Sequence, residues 1–140
     1  MSNSGTRSTP LRAIDGHVRL DGREIVAEKM VKSDDPYLSG HFPDFTLYPA
    51  VFLIEGVSQM LDEHLAAVHG GNDMVNLVEV RTARFTAPML VGDMIEIRGR
   101  LELGENIADI KAVCTNSTGV KVGRIDAEFS IVRRSPGAGS

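Results

Sequence analysis

One long apolar segment with helical spacing constrains the fold of this chain more than any other feature. The segment begins near Pro49 and ends near His69. Proline suits a first helical position, because its missing N–H would have no partner there, and Gly70 can adopt the left-handed conformation of a helix cap. The apolar side chains cover most of the surface, so we expect a helix that is buried nearly all round. The recurring apolar positions are Leu53, Ile54, Val57, Leu61, Leu65 and Val68.

Five other segments have the character of strands. Residues 94–103 alternate apolar and charged side chains, which is typical of a half-buried antiparallel strand. Residues 107–116 follow after a short Gly-Glu-Asn turn, which indicates a hairpin, and residues 123–132 alternate as well. Residues 23–32 and 75–85 are patterned less sharply. One buried helix and about five strands predict an α+β domain in which a curved antiparallel sheet wraps around one long central helix.

The composition argues against several classes of protein. The net charge is −4, with 15 basic and 19 acidic residues, which does not favour a nucleic-acid partner. No stretch approaches the roughly 18 apolar residues that a membrane helix needs. Cys114 is the single cysteine and fits a reducing compartment. We therefore expect a cytoplasmic protein with one domain over residues 11–134 and disordered tails at 1–10 and 135–140.

A carboxylate lies within the apolar helical segment. Glu55 and Gln59 are four residues apart and share one face of the helix, and His41 precedes the helix in a Gly-His-Phe-Pro turn. The helix N-terminus near Ala50 and Val51 supplies unpaired N–H groups and the positive end of the helix dipole. An acid, a base and an oxyanion site suit proton abstraction beside a carbonyl. Spacing alone leaves open a structural histidine and a solvated glutamate.

Two blocks of sequence carry a family resemblance. The segment DDPYLSGHFPDFTLYPAVFLIEGVSQ (34–59) resembles the central block of the 3-hydroxyacyl-(acyl carrier protein) dehydratases of type II fatty-acid synthesis. The shared features are a turn containing Gly40 and Phe42, Pro49 before the helix, and an acid fourteen residues after the histidine. The segment ARFTAPMLVGD (83–93) resembles a second family block. Two blocks in the right order are more specific than the spacing of one histidine and one acid.

The resemblance implies the hot-dog fold and a homodimer with active sites at the interface, with a trimer of dimers as a further level of assembly. His41 of one subunit would take a proton from the carbon next to the thioester carbonyl. Glu55 of the other subunit would protonate the departing hydroxyl, which leaves a trans-2-enoyl thioester. A backbone amide of Ala50 or Val51 would hold the carbonyl oxygen, and Gln59 would position Glu55 or a water.

The resemblance also implies the partner. The substrate would be carried on the phosphopantetheine arm of an acyl carrier protein, so we expect neither a metal nor a further cofactor. Arg84 and Arg81 are candidates for docking an acidic carrier protein. The chain departs from the family pattern at three positions, with Asp44 and Ala50 in place of glycine and Thr46 in place of proline. A specialised polyketide or polyene pathway is therefore as plausible as housekeeping fatty-acid synthesis.

Two other functions remain open. A hot-dog acyl thioesterase also uses a carboxylate on the central helix, although the Gly-His-Phe-Pro turn argues against this class. A non-catalytic acyl-binding subunit of a dehydratase complex is disfavoured because both His41 and Glu55 are present. Cys114 is expected in the core rather than as a nucleophile. His64 and His69 are separated by about 140° around a helix, which argues against a metal pair.

Overall fold

The computed structural model describes residues 13–32, 52–70 and 73–133, and these ranges contain six strands and one helix. The strands form one antiparallel sheet in the order β1-β2-β4-β5-β6-β3. This arrangement confirms the expected α+β class. In chain order the elements are β1 (Asp15–Asp21), β2 (Glu24–Met30), α1 (Phe52–His69), β3 (Asp73–Phe85), β4 (Met94–Leu103), β5 (Ile107–Thr115) and β6 (Lys121–Arg133).

The alternating patterns place apolar side chains on the face of the sheet that packs against α1. Ile95 and Ile97 in β4 and Phe129 in β6 are buried, as their alternation predicts. Cys114 in β5 lies in the same core, and its burial raises the pKa of the thiol to about 12. Its expected role as a core residue is confirmed.

Gly56 brings α1 unusually close to the sheet. A Cβ at this position would lie 2.9 Å from Ile97 Cδ1 and 3.3 Å from the carbonyl oxygen of Ala13. Both separations are shorter than ordinary van der Waals contacts, so a glycine allows α1 to approach β4 and the segment before β1 together. This approach places the polar side chains of α1 within reach of the β1 backbone.

The sequence pattern does not predict β1, so the sheet has one strand more than the five segments that the sequence indicates. The residues of β1 are DGHVRLD, and none of them is fully buried, so the strand lacks the apolar face on which a prediction depends. Local bonds hold it to β2 instead. The loop between them has two residues and begins at Gly22, whose φ is +65°. The Asp15 carboxylate accepts a hydrogen bond of 2.7 Å from Met30 N.

The expectation of a helix buried nearly all round is also wrong for the single chain. One face of α1 is buried, but Val68 is 56% exposed, and Glu55 and Asp62 are exposed, although the Asp62 carboxyl is partly shielded from water by its neighbours. The sheet covers only one side of the helix, so apolar residues at its end remain on the surface. Within the described ranges, none of the helical structure is long and apolar enough to cross a membrane.

Candidate active site

The structure describes four of the predicted site residues, and the others fall outside its described ranges. Glu55 and Gln59 lie on α1, and Arg81 and Arg84 lie on β3. The roles predicted for the remaining positions stay predictions, as do the two disordered tails. The positions outside the described residues are Gly40, His41, Phe42, Asp44, Thr46, Pro49, Ala50 and Val51.

Glu55 and Gln59 are in contact, as their spacing on one helical face predicts. Gln59 Nε2 donates a hydrogen bond of 3.3 Å to Glu55 Oε2. Glu55 occupies the first turn of α1 and is exposed although its neighbours in the sequence are apolar, so its carboxylate needs no buried partner. The contact gives the carboxylate a defined neighbour and leaves it accessible to a substrate.

The other end of the Gln59 amide is bound to the segment that leads into β1. Gln59 Oε1 accepts a hydrogen bond of 2.8 Å from Ala13 N. Ala13 and Ile14 are each 1% exposed, so the donor belongs to packed backbone. The sequence gives no sign of this contact, because Ala13 and Gln59 are 46 residues apart and a backbone donor leaves no trace in residue type.

A second contact of the same kind lies one turn further along α1. Val18 N donates a hydrogen bond of 3.4 Å to Glu63 Oε1, and His17 Nδ1 lies 3.6 Å from the same oxygen. Gln59 and Glu63 therefore both bind backbone N–H groups of the β1 segment. Only Gln59 also contacts Glu55.

Glu55 opens onto a groove between α1 and the start of β3. The groove has a volume of about 310 Å³. Its lining is mostly polar and carries three carboxylates, of which Asp62 has a raised pKa because the carboxyl is partly buried. Such a groove admits water and polar groups to Glu55. The lining residues are Glu55, Ser58, Gln59, Asp62, Asp73, Met74 and Val75.

The C-terminal end of α1 is tied to β3 by a histidine–aspartate contact. His69 Nδ1 lies 2.6 Å from Asp73 Oδ2, which fixes the end of the helix beside the groove. Burial, and to a smaller degree the charge of His69, lowers the pKa of His64. Among the described residues, no three His, Cys, Asp or Glu side chains are grouped so that they could hold a metal ion.

The two candidate docking arginines have different surroundings. Arg81 Nη1 lies 2.6 Å from Asp109 Oδ1, and Arg81 also pairs with Glu128. The charge of Arg81 is therefore balanced by carboxylates of β5 and β6. Arg84 lies directly opposite Arg124 in the β3–β6 pair.

Comparison with protein families and curated proteins identifies dehydratase relatives. The model of the ApeI-like family, which is described as ApeI dehydratase, matches residues 17–121. The 3-hydroxyacyl-(acyl-carrier-protein) dehydratase FabZ of Campylobacter concisus is 36% identical over 99 residues, which is 64% of this chain and 66% of the relative. The FabZ of Sinorhizobium medicae is 32% identical over 62% of this chain and 58% of its own length. The chain thus spans about 58 to 66% of the length of these curated relatives.

Solved structures with the same fold have little sequence in common with the chain. A Streptococcus mutans protein solved with bound acetyl-CoA superposes with a TM-score of 0.63 at 11% identity, covering 86% of this chain and 90% of its own. A thioesterase of Haemophilus influenzae superposes with a TM-score of 0.62 at 12% identity, and the match covers 86% of this chain and 77% of the thioesterase. These similarities confirm the hot-dog fold.

Proposed function

Because this chain belongs to the ApeI-like dehydratase family, we propose that it removes water from 3-hydroxyacyl thioesters carried on acyl carrier protein. The products are trans-2-enoyl thioesters for fatty-acid synthesis or for a specialised polyketide or polyene pathway. The observation that carries the proposal is the Glu55–Gln59 contact. It provides an exposed carboxylate, oriented by an amide, at the position to which the family resemblance assigns the catalytic acid.

The proposed reaction is an elimination in which each group has one role. His41 takes the proton from C2, and the electron pair of the C–H bond passes through an enolate to form the C2–C3 double bond. A backbone N–H of Ala50 or Val51 stabilises the negative charge on the thioester oxygen. The C3–O bond breaks, and Glu55 gives its proton to the hydroxyl, which leaves as water. The reaction is redox-neutral and needs no redox cofactor, and the proposal also includes no metal. The proposed location is the cytoplasm, whose reducing conditions suit a chain with a single cysteine.

The direct test uses mass spectrometry of 3-hydroxyacyl carrier proteins of several chain lengths. The carrier should lose the mass of one water, and a reverse reaction from the enoyl carrier should add it back. Release of free thiol with a free 3-hydroxy acid would instead assign the chain to the thioesterases. An unchanged carrier, from enzyme whose folding is confirmed by circular dichroism, would contradict both activities.

The proposal includes a homodimer whose sites combine His41 of one subunit with Glu55 of the other. His41→Ala and Glu55→Gln homodimers then each have two broken sites. A heterodimer of the two variants has one intact site, and random mixing makes about half of all dimers heterodimers. Mixing and refolding should therefore restore about a quarter of wild-type activity. Verified subunit exchange without any recovery would show that each site lies within one subunit.

The carrier protein is proposed to dock beside Arg84 and Arg124 rather than at Arg81. Like charges directly opposite each other on neighbouring strands destabilise a sheet, so this pair of arginines suits an anionic partner. The two guanidinium groups border a depression of about 300 Å³ with Thr82 and Asp126. Asp126 lies 3.3 Å from Arg124 Nη2, and its buried Oδ1 has no hydrogen-bond partner within the described residues.

Charge reversal tests this docking surface. Arg84→Glu and Arg124→Glu should each raise KM for the carrier-bound substrate about tenfold, equivalent to ~1.4 kcal/mol, and should weaken its salt dependence. A pantetheine thioester without the carrier protein should be turned over as by wild type. Arg23→Glu is the matched control, because it makes the same charge change in the β1–β2 loop at the opposite edge of the sheet. If Arg23→Glu raised KM equally, the effect would come from the net charge of the protein and not from a docking surface at Arg84 and Arg124.

A further inference from the structure

We propose that the backbone N–H of Ala13 fixes the direction of the Gln59 amide, and that this direction decides which oxygen of Glu55 carries the catalytic proton. Ala13 and Gln59 are thereby positioning residues for Glu55. The inference rests on the proposed function, in which Glu55 is the acid. It extends the active site to the segment before β1.

The hydrogen bonds allow one orientation of the Gln59 amide. The oxygen and nitrogen of a glutamine amide are assigned from their partners rather than from shape. Ala13 N–H can only donate, so the amide atom 2.8 Å away must be the oxygen. The nitrogen then faces Glu55 Oε2 at 3.3 Å and donates to it. The reverse orientation would place two donors together at Ala13 and leave its backbone N–H without an acceptor. Opposite an ionised Glu55, it would also place two acceptors together.

The orientation of the amide distinguishes the two oxygens of Glu55. In a neutral carboxylic acid, the oxygen that accepts the amide N–H is the carbonyl oxygen. When Glu55 acts as the acid, its proton therefore resides on Oε1, because Oε2 accepts the hydrogen bond from Gln59. A glutamine without the Ala13 contact could rotate and present its oxygen to Glu55. That oxygen would accept a hydrogen bond from the Glu55 O–H and turn the proton away from the substrate hydroxyl.

The surrounding packing makes Ala13 a suitable reference point. Ala13 is almost completely buried, and its carbonyl oxygen lies within 3.3 Å of where a Cβ of Gly56 would be. Both backbone groups of Ala13 therefore lie against α1, the N–H at Gln59 and the carbonyl oxygen at Gly56. Glu63 makes a comparable bond to Val18 N without touching Glu55, and this provides a control for helix–strand attachment alone.

Two substitutions of Gln59 separate positioning from attachment. Gln59→Glu keeps an acceptor for Ala13 N–H but replaces the donor facing Glu55 with a second carboxylate oxygen. The two acids would share one proton, so Glu55 would often lack the proton that it must give. Gln59→Met removes both bonds at similar volume. We expect each variant to lower kcat about ten- to a hundredfold on a pantetheine thioester, with KM changed less than about twofold.

A double-mutant cycle tests the Ala13 contact. Ala13→Pro removes the N–H and should lower kcat in the wild-type background. It should lower kcat no further in the Gln59→Met background, because the amide that it orients is already absent. Glu63→Ala should leave kcat at the wild-type value while lowering the thermal unfolding midpoint slightly.

The outcomes separate this inference from the proposed function. Wild-type enzyme without dehydratase activity would remove the function on which the inference rests. Active wild type together with a fully active Gln59→Glu variant would refute the positioning role alone, as would Ala13→Pro lowering kcat by the same factor in both backgrounds. If Ala13→Pro fails to fold, as judged by circular dichroism, the two Gln59 variants and Glu63→Ala still decide the question.

Discussion

The two faces of α1 have different chemistry and different tasks. The inner face, which includes Val57, Met60 and Leu61, is completely buried against the sheet. The outer face carries Glu55 and Gln59, which meet a groove and the β1 backbone. The inner face stabilises the fold by removing apolar surface from water, and the outer face holds the proposed catalytic acid. Substitutions on the inner face should therefore affect mainly stability, and substitutions at Glu55 and Gln59 mainly activity.

The largest effect is expected at Glu55 and should appear in activity alone. Glu55→Gln removes the proton donor but keeps the shape of an exposed side chain. Loss of a positioned acid costs about 10²–10⁴ in rate, so dehydration of carrier-bound substrate should fall by that factor. The urea midpoint should stay at the wild-type value. A variant that loses both activity and stability would place Glu55 among the residues that hold the fold.

The second effect is expected at Leu61 and should appear in stability alone. Leu61→Ala leaves a cavity between α1 and the sheet, at a cost of about 2–5 kcal/mol in the free energy of unfolding. Activity per folded molecule should remain close to that of wild type at low temperature. Urea denaturation followed by circular dichroism measures the loss. If kcat falls in proportion to stability under folding conditions, the two faces are not independent.

Gly56 lies where the two faces meet, so its substitution should affect both properties. Gly56→Ala gains about 1 kcal/mol of helix propensity, but its Cβ would lie 2.9 Å from Ile97 Cδ1 and 3.3 Å from Ala13 O. Overpacking costs about 1–3 kcal/mol, so we expect a net loss of about 1 kcal/mol in stability. The displaced Ala13 should also loosen its bond to Gln59 and lower kcat. A more stable Gly56→Ala variant would show that the close approach is not required.

The smallest effect is expected at Asp62, on the outer face. Partial burial raises the pKa of Asp62 above its ordinary value of 3.8, so the folded state binds this proton more tightly than the unfolded state does. Stability from this group is present below the unfolded pKa and is lost as the pH rises through the folded pKa. Asp62→Asn should therefore stabilise the protein at neutral pH, by no more than about 0.5 kcal/mol. The advantage should disappear in urea titrations near pH 4.

The fold could be predicted where one side of an element is apolar and the other is not. The alternation of β4 predicts its bounds of Met94 and Leu103, and the burial of Ile95 and Ile97 confirms which side faces α1. The β1 strand could not be predicted in this way. It is held by a glycine loop and by the Asp15–Met30 bond, and neither depends on a run of apolar residues.

The site could be predicted only in part, for a related reason. The four-residue spacing of Glu55 and Gln59 predicts their contact, because helical geometry is local. The bond between Ala13 N and Gln59 depends on a backbone donor 46 residues away. The exposure of Glu55 depends on how much of α1 the sheet covers. The number of apolar residues in the helix does not show how much of its surface is covered.

From the strand order we expect the site to form late in folding. The strands β4, β5 and β6 are consecutive in the chain and adjacent in the sheet, so this meander requires only short loop closures. The pairing of β2 with β4 must enclose α1 and β3, and contacts between distant residues form slowly because loop closure costs entropy. The Ala13–Gln59 bond joins residues 46 positions apart, so we expect it to be among these slowly formed contacts. A chain that has completed only its meander already has a sheet, but it does not yet have an oriented acid.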